Sequence, residues 1–145
     1  MVCEHKHVIV RAELNWFYNG TQEIHLHEFM TGIIRDLKMN LMKGPMSCYL
    51  DRPGLKGWSS VVLIETSHIV LHSWDEDSPV LLQLDVYTCG EMNLEVVQRA
   101  LAPYGIRKFD YYLIDRATEI KLIVATKSVT IWDKIKDYIK KWTGS

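Results

Sequence analysis

A chain of 145 residues, 48% hydrophobic and 24% charged, has the size and apolar content of one globular domain with its own core, which excludes a disordered or fibrous chain. Lys and Arg number 17 against 18 Asp and Glu, a net charge of −1, so there is no broad basic field to hold a nucleic-acid backbone or an anionic membrane. No apolar run approaches the roughly 20 residues that a membrane-spanning helix needs, and the start MVCEHKH lacks a signal-peptide core, so a soluble cytoplasmic protein with neither nucleic acid nor membrane as partner is expected.

The elements follow in chain order. His7 to Leu14 is rich in β-branched residues with partial alternation and predicts a strand, ended by the loop Asn15 to Thr21. From Gln22 to Met42, Leu26, Phe29, Met30, Ile33, Ile34, Leu37 and Leu41 recur at helical spacing, which predicts a long helix stopped by Gly44-Pro45. A short strand, Met46 to Leu50, leads into the turn-forming run Asp51 to Gly57. Trp58 to Glu65 and His68 to Trp74 read as two strands, or one broken near Thr66-Ser67, and Pro79 to Thr88 as the next. A second helix is expected from Asn93, with Leu94, Val97 and Leu101 on one face, to the stop at Pro103 and Gly105. Strands at Ile106 to Ile114 and Glu119 to Ala125 follow, then a C-terminal helix capped by Ser128 with Trp132, Ile135, Ile139 and Trp142 on one face.

Strands in runs and helices with one apolar stripe each predict an α+β two-layer sandwich of residues 1–145, a mostly antiparallel sheet with helices on one face. Val61 to Ile64 and Ile69 to Leu71 are apolar on both faces, so a second subunit is expected to cover what the helices leave open. Cys3, Cys48 and Cys89 include no CxxC pair, which argues against a disulfide framework or a structural zinc site and for a free thiol. His5-x-His7 and His25-x-His27 invite a metal reading, but a spacing of two on a helix puts 25 and 27 on different faces, and no metal is expected.

The stretch from Ser59 to Glu76, SSVVLIETSHIVLHSWDE, followed by LDVYTCG from Leu84 to Gly90, resembles the bacterial and archaeal S-adenosylmethionine decarboxylases. That family carries Glu-Ser-His, His-Thr-Trp-Pro-Glu and Phe-Thr-Cys-Gly in this order and at nearly this spacing. The resemblance is strongest over residues 57–90. It implies a self-processing enzyme in which a serine hydroxyl attacks the preceding carbonyl, the amide becomes an ester, and β-elimination cuts the chain to leave a pyruvoyl cofactor at the new N-terminus. Carried over, the cleavage site is Thr66-Ser67 and Ser67 is the pyruvoyl precursor. The pyruvoyl carbonyl would form a Schiff base with S-adenosylmethionine and act as electron sink while carbon dioxide leaves, giving the aminopropyl donor for spermidine synthesis. Cys89 matches the cysteine that returns a proton to the α-carbon. Ser59 and His72 match the serine and histidine that assist processing, and Trp74 and Glu76 fall in the substrate-binding segment.

Taken singly, Ser67-His68 reads as a turn, Cys89 as a small buried residue and Trp74 as core; joint order and spacing favour the chemistry. Along an extended strand Ser67 and His72 lie about 16 Å apart. A homodimer with Ser67 and Cys89 from one chain and Ser59 and His72 from the other removes that difficulty, in agreement with the family's dimeric arrangement. The sequence departs from the family in three places: Thr66 stands where glutamate is usual, Asp75 replaces a proline ahead of a turn longer by two residues, and Ser60 replaces a glycine. These departures leave open a pyruvoyl-dependent decarboxylase of another amino acid, arginine or ornithine, and an unprocessed, non-catalytic relative.

Overall fold

Period-two alternation sets Val8, Val10, Ala12 and Leu14 on one buried face of the first strand, β1 (Lys6–Leu14), and leaves His7, Ile9 and Arg11 on the other. A computed structural model of the chain describes residues 3–126 and Thr143. The expected C-terminal helix, from Ser128 through Trp142, lies outside the described residues. After β1 come α1 (Glu23–Asp36), β2 (Leu41–Leu50), β3 (Gly57–Ile64), β4 (Ser67–Trp74), β5 (Val80–Thr88), α2 (Leu94–Leu101), a short 3-10 turn at Ala102–Tyr104, β6 (Ile106–Asp115) and β7 (Lys121–Thr126). The strands form one sheet in the order β2-β3-β4-β5-β1-β6-β7, antiparallel at every pairing. Leu26, Met30 and Ile33 of α1 and Val97 and Leu101 of α2 share one apolar cluster with the inner face of the sheet, the α+β sandwich the sequence predicts. None of the helices among the described residues is long and apolar enough to cross a membrane.

The first helix is shorter than its apolar period suggests. It ends at Asp36, Leu37 caps it, and Lys38 turns the chain through a left-handed conformation (φ 58°) before β2 begins at Leu41. Leu41 and Met42 thus continue the helical spacing only by coincidence; Leu41 lies on a strand and is 47% exposed. Gly44-Pro45 does not stop the helix. It sits inside β2, where the register with β3 slips between Lys43 and Met46, and an edge strand tolerates a proline because one of its sides needs no donor.

Two contacts place the chemistry. Ile64 pairs with Ser67, so β3 and β4 form a hairpin whose turn is only Glu65 and Thr66. At the other end of β3, a Cβ on Gly57 would stand 1.7 Å from the Ser73 carbonyl oxygen, and Gly57 alone lets the strands approach there. The outer sheet face has no layer over it among the described residues. It exposes Ile9 (42%), Leu63 (50%) and Tyr112 (53%), and a concavity of about 870 Å³ opens there between Ile9, Arg11, Val70, His72, Asp85 and Tyr112.

Candidate active site

The β3–β4 turn is fixed from below and beside. The Glu65 amide donates to the Asn40 carbonyl (3.1 Å), and the Asn40 side-chain amide donates to the Glu65 carboxylate (3.0 Å). Thr66 adopts φ 52°, a left-handed conformation costly for a β-branched residue, and its hydroxyl donates to the Glu65 carbonyl (2.8 Å). Ser67 is buried on the helix-facing side, and its Oγ accepts from the Cys89 backbone amide (2.8 Å). The Cys89 thiol reaches the Glu65 carbonyl (3.3 Å), and the Cys89 carbonyl accepts from the Glu4 amide (2.8 Å). All three cysteines are free. The serine, the bond before it and the thiol are therefore assembled within one chain, at the end where β4 begins. Relieving the strain is measurable: in a Ser67→Ala background, Thr66→Gly should raise unfolding stability by about 0.5–1 kcal/mol, since relief of about 1–2 kcal/mol exceeds glycine's added entropy cost. A destabilised Thr66→Gly protein in a denaturant titration would show that the turn is not strained.

Ser59 and His72 meet elsewhere. Ser59 pairs with His72 across β3 and β4, and its hydroxyl lies 2.8 Å from His72 Nδ1. Both side chains stand on the outer face, whereas Ser67 alternates with Ile69 and Leu71 onto the inner one. Five residues of strand, about 16 Å, and a change of face thus separate His72 from Ser67. Trp74 lies beside His72, ring centres 6.2 Å apart. Glu76 accepts from the Gly54 amide (2.5 Å), and Asp75 accepts from the Tyr49 hydroxyl (2.9 Å); burial first, then this carboxylate, pushes the Tyr49 phenol up to about 12. Ser60, where the family has glycine, is absorbed: it is 2% exposed and its hydroxyl meets that of Ser47 at 2.8 Å.

One constellation was not legible in the sequence. Asp85 of β5 accepts at Oδ1 from Nε2 of His7 (2.6 Å) and of His68 (3.1 Å). The Arg116 guanidinium lies 3.3 Å from His7 Nδ1; because guanidinium only donates, that nitrogen accepts and the ring proton sits on Nε2. Burial works against ionisation of Asp85, but the hydrogen bonds from His7 and His68 outweigh it and hold the carboxyl below the usual range. These three ligand-type atoms lie within 4.8 Å of one another, yet with Nε2 of His7 carrying a proton the group is a hydrogen-bonded bridge rather than a preformed metal cradle. The His7–Asp85 contact spans 78 residues of sequence, and spacing alone offers no signal for it. His25, by contrast, stacks on Tyr18 and faces Glu28.

Comparison with known proteins bears on the family of the chain. The family model of S-adenosylmethionine decarboxylase matches residues 20–116, a span that holds Ser59, Ser67, His72 and Cys89. The chain is 37% identical over 79 residues to the arginine decarboxylase proenzyme of Aeropyrum pernix, a match covering 50% of this chain and 56% of that protein. It is 31% identical over 87 residues to the S-adenosylmethionine decarboxylase proenzyme of Picrophilus torridus, covering 57% of this chain and 62% of that one. Each match therefore spans less than two thirds of the relative's length.

Proposed function

We propose, from the premise that this chain belongs to the S-adenosylmethionine decarboxylase family, that it is a proenzyme which cuts itself between Thr66 and Ser67 and then decarboxylates S-adenosylmethionine. The observation that carries this reading is the convergence of Ser67, the strained Thr66 and the Cys89 thiol at one turn. Ser67 Oγ attacks the Thr66 carbonyl carbon and the amide becomes an ester. Loss of the Ser67 α-proton then breaks the Cβ–Oγ bond, Oγ departs within the new Thr66 carboxylate, and water replaces the nitrogen, which leaves as ammonia. A pyruvoyl group supplies a carbonyl that holds the substrate amine and draws off the electron pair as carbon dioxide leaves. Cys89, fixed by the contacts of its backbone to Ser67 and Glu4, returns a proton to the α-carbon.

Ser59 and His72 assist the proton removal, and they do so from a second subunit. A homodimer formed across the open outer face brings the Ser59–His72 pair of one chain toward the Ser67 end of the other and covers Ile9, Leu63 and Tyr112. Trp74 and Glu76, next to His72 on the same chain, then contact the adenosyl portion of the substrate.

The test is a denaturing gel with mass spectrometry of the purified protein. Two chains are expected, residues 1–66 and 67–145, the second blocked to Edman sequencing. One intact chain with unmodified Ser67 after prolonged incubation would overturn the proposal. A cut one residue earlier would assign the nucleophile to Thr66, whose hydroxyl touches the Glu65 carbonyl. Arginine is the second substrate to try, because one relative is named for it and Asp75, Glu76 and Asp77 make the segment after Trp74 acidic. Competition between S-adenosylmethionine and arginine for carbon dioxide release decides between them.

A further inference from the structure

Processing as proposed strips residue 67 of its own anchors. The Ser67 nitrogen departs as ammonia, so its amide is lost to the sheet, and Oγ departs with Thr66, so the hydrogen bond from the Cys89 amide loses its acceptor. Residue 67 then becomes the free first residue of a strand, the position most prone to fraying. The side-chain tether next to it is His68, bonded to Asp85 on the neighbouring strand β5, which is itself bonded to His7 on β1, one strand further in.

Resting on the reading that Thr66–Ser67 is cut, we infer that His7, Asp85 and His68 are positioning residues whose bridge holds the newly formed start of β4 in register, keeping the carbonyl at residue 67 beside the Cys89 thiol. The sheet order makes the bridge effective. Asp85 sits on the strand between the other two and is half-buried, with its carboxylate tied to both imidazoles through one oxygen. The side of His7 away from Asp85 is closed by Arg116, which also lies 4.4 Å over the Tyr87 ring, and that ring touches both imidazoles, 5.6 Å from each. Fraying of β4 would thus have to break a ring-packed hydrogen bond to a carboxylate rather than one exposed backbone bond.

The bridge matters only after the cut, and that property sets the test. His68→Ala removes the tether, while His68→Gln keeps an amide donor at about the reach of Nε2. Each is made in the self-cleaving chain and in the uncleavable Ser67→Ala chain, and hydrogen exchange is followed at the amides of Ile69 and Val70. In the cleaved protein His68→Ala should exchange about tenfold faster or more than wild type, with His68→Gln close to wild type; in the uncleaved background all should exchange alike. Equal exchange in the cleaved proteins overturns the inference, as does equal acceleration in both backgrounds, which marks an ordinary packing contact. Failure of Gln to restore protection, or of His68→Ala to cleave, likewise overturns it. If His68→Ala does not fold, Asp85→Leu, which keeps bulk on the strand, carries the same comparison. A wild-type chain that never cleaves is seen on the gel beforehand and overturns the processing reading itself.

Discussion

Coexpressed Ser67→Ala and His72→Ala chains, each inactive alone, are expected to regain both cleavage and turnover. Each subunit of the proposed dimer contributes the Ser67 end to one site and the Ser59–His72 pair to the other. A mixed dimer therefore collects both lesions in one site and leaves the second with an intact Ser67 and an intact His72. Random pairing makes about half of the dimers mixed, each with one intact site in two, so about a quarter of wild-type activity should return. The separation that demands this arrangement is the distance of about 16 Å along β4 between Ser67 and His72. If mixed dimers are isolated and neither cleave nor turn over, each subunit completes its own site and the outer face has another use.

Cys89→Ala should still cleave yet lose turnover by about 10²- to 10⁴-fold, the range for removing a positioned proton donor. The backbone amide that holds Ser67 Oγ is unaffected by the change, which is why cutting survives. The thiol contact to the Glu65 carbonyl is lost, so cleavage is expected to slow without stopping. With no thiol to deliver the proton to the α-carbon, protonation at the wrong atom converts the start of the second chain to an alanine-like end, and the mass of the 67–145 fragment records the fraction so lost. Near-normal turnover would assign Cys89 to packing.

Most strands were legible in the sequence because alternation is a local property: β1, β4, β5 and β6 begin within one residue of the expected positions. The helix overran because Leu41 and Met42 kept the period while nothing local, neither glycine nor proline, marked the left-handed turn at Lys38. The motif that carries the family resemblance was legible through its order along the chain, and the separation of Ser67 from His72 through distance along β4. That these two residues occupy opposite faces follows from parity, 67 being odd and 72 even, once β4 is known to run unbroken. The His7–Asp85–His68 bridge was not legible. It depends on β1 lying next to β5, and strand order is a property of the whole sheet that no spacing within a segment encodes.

Strand order also governs what a cut at Thr66 can do to the molecule. The piece before the cut carries β1, β2 and β3, and the piece after it carries β4 to β7. In the sheet order β2-β3-β4-β5-β1-β6-β7 these alternate as two strands of the first piece, two of the second, one of the first and two of the second. β1 is thereby threaded between β5 and β6, hydrogen-bonded on both edges to the other piece. Severing the backbone frees neither part, because pulling them asunder would open three ladders at once and expose the rows of buried residues along them. Nor can either part build this sheet by itself: the first would leave β1 without a neighbour, and the second would have a strand-wide gap between β5 and β6. Continuity of the polypeptide keeps the two parts together while the sheet is woven and is dispensable once it is woven, so a cut at Thr66 is expected to follow folding and its two products to persist as a single interlaced body.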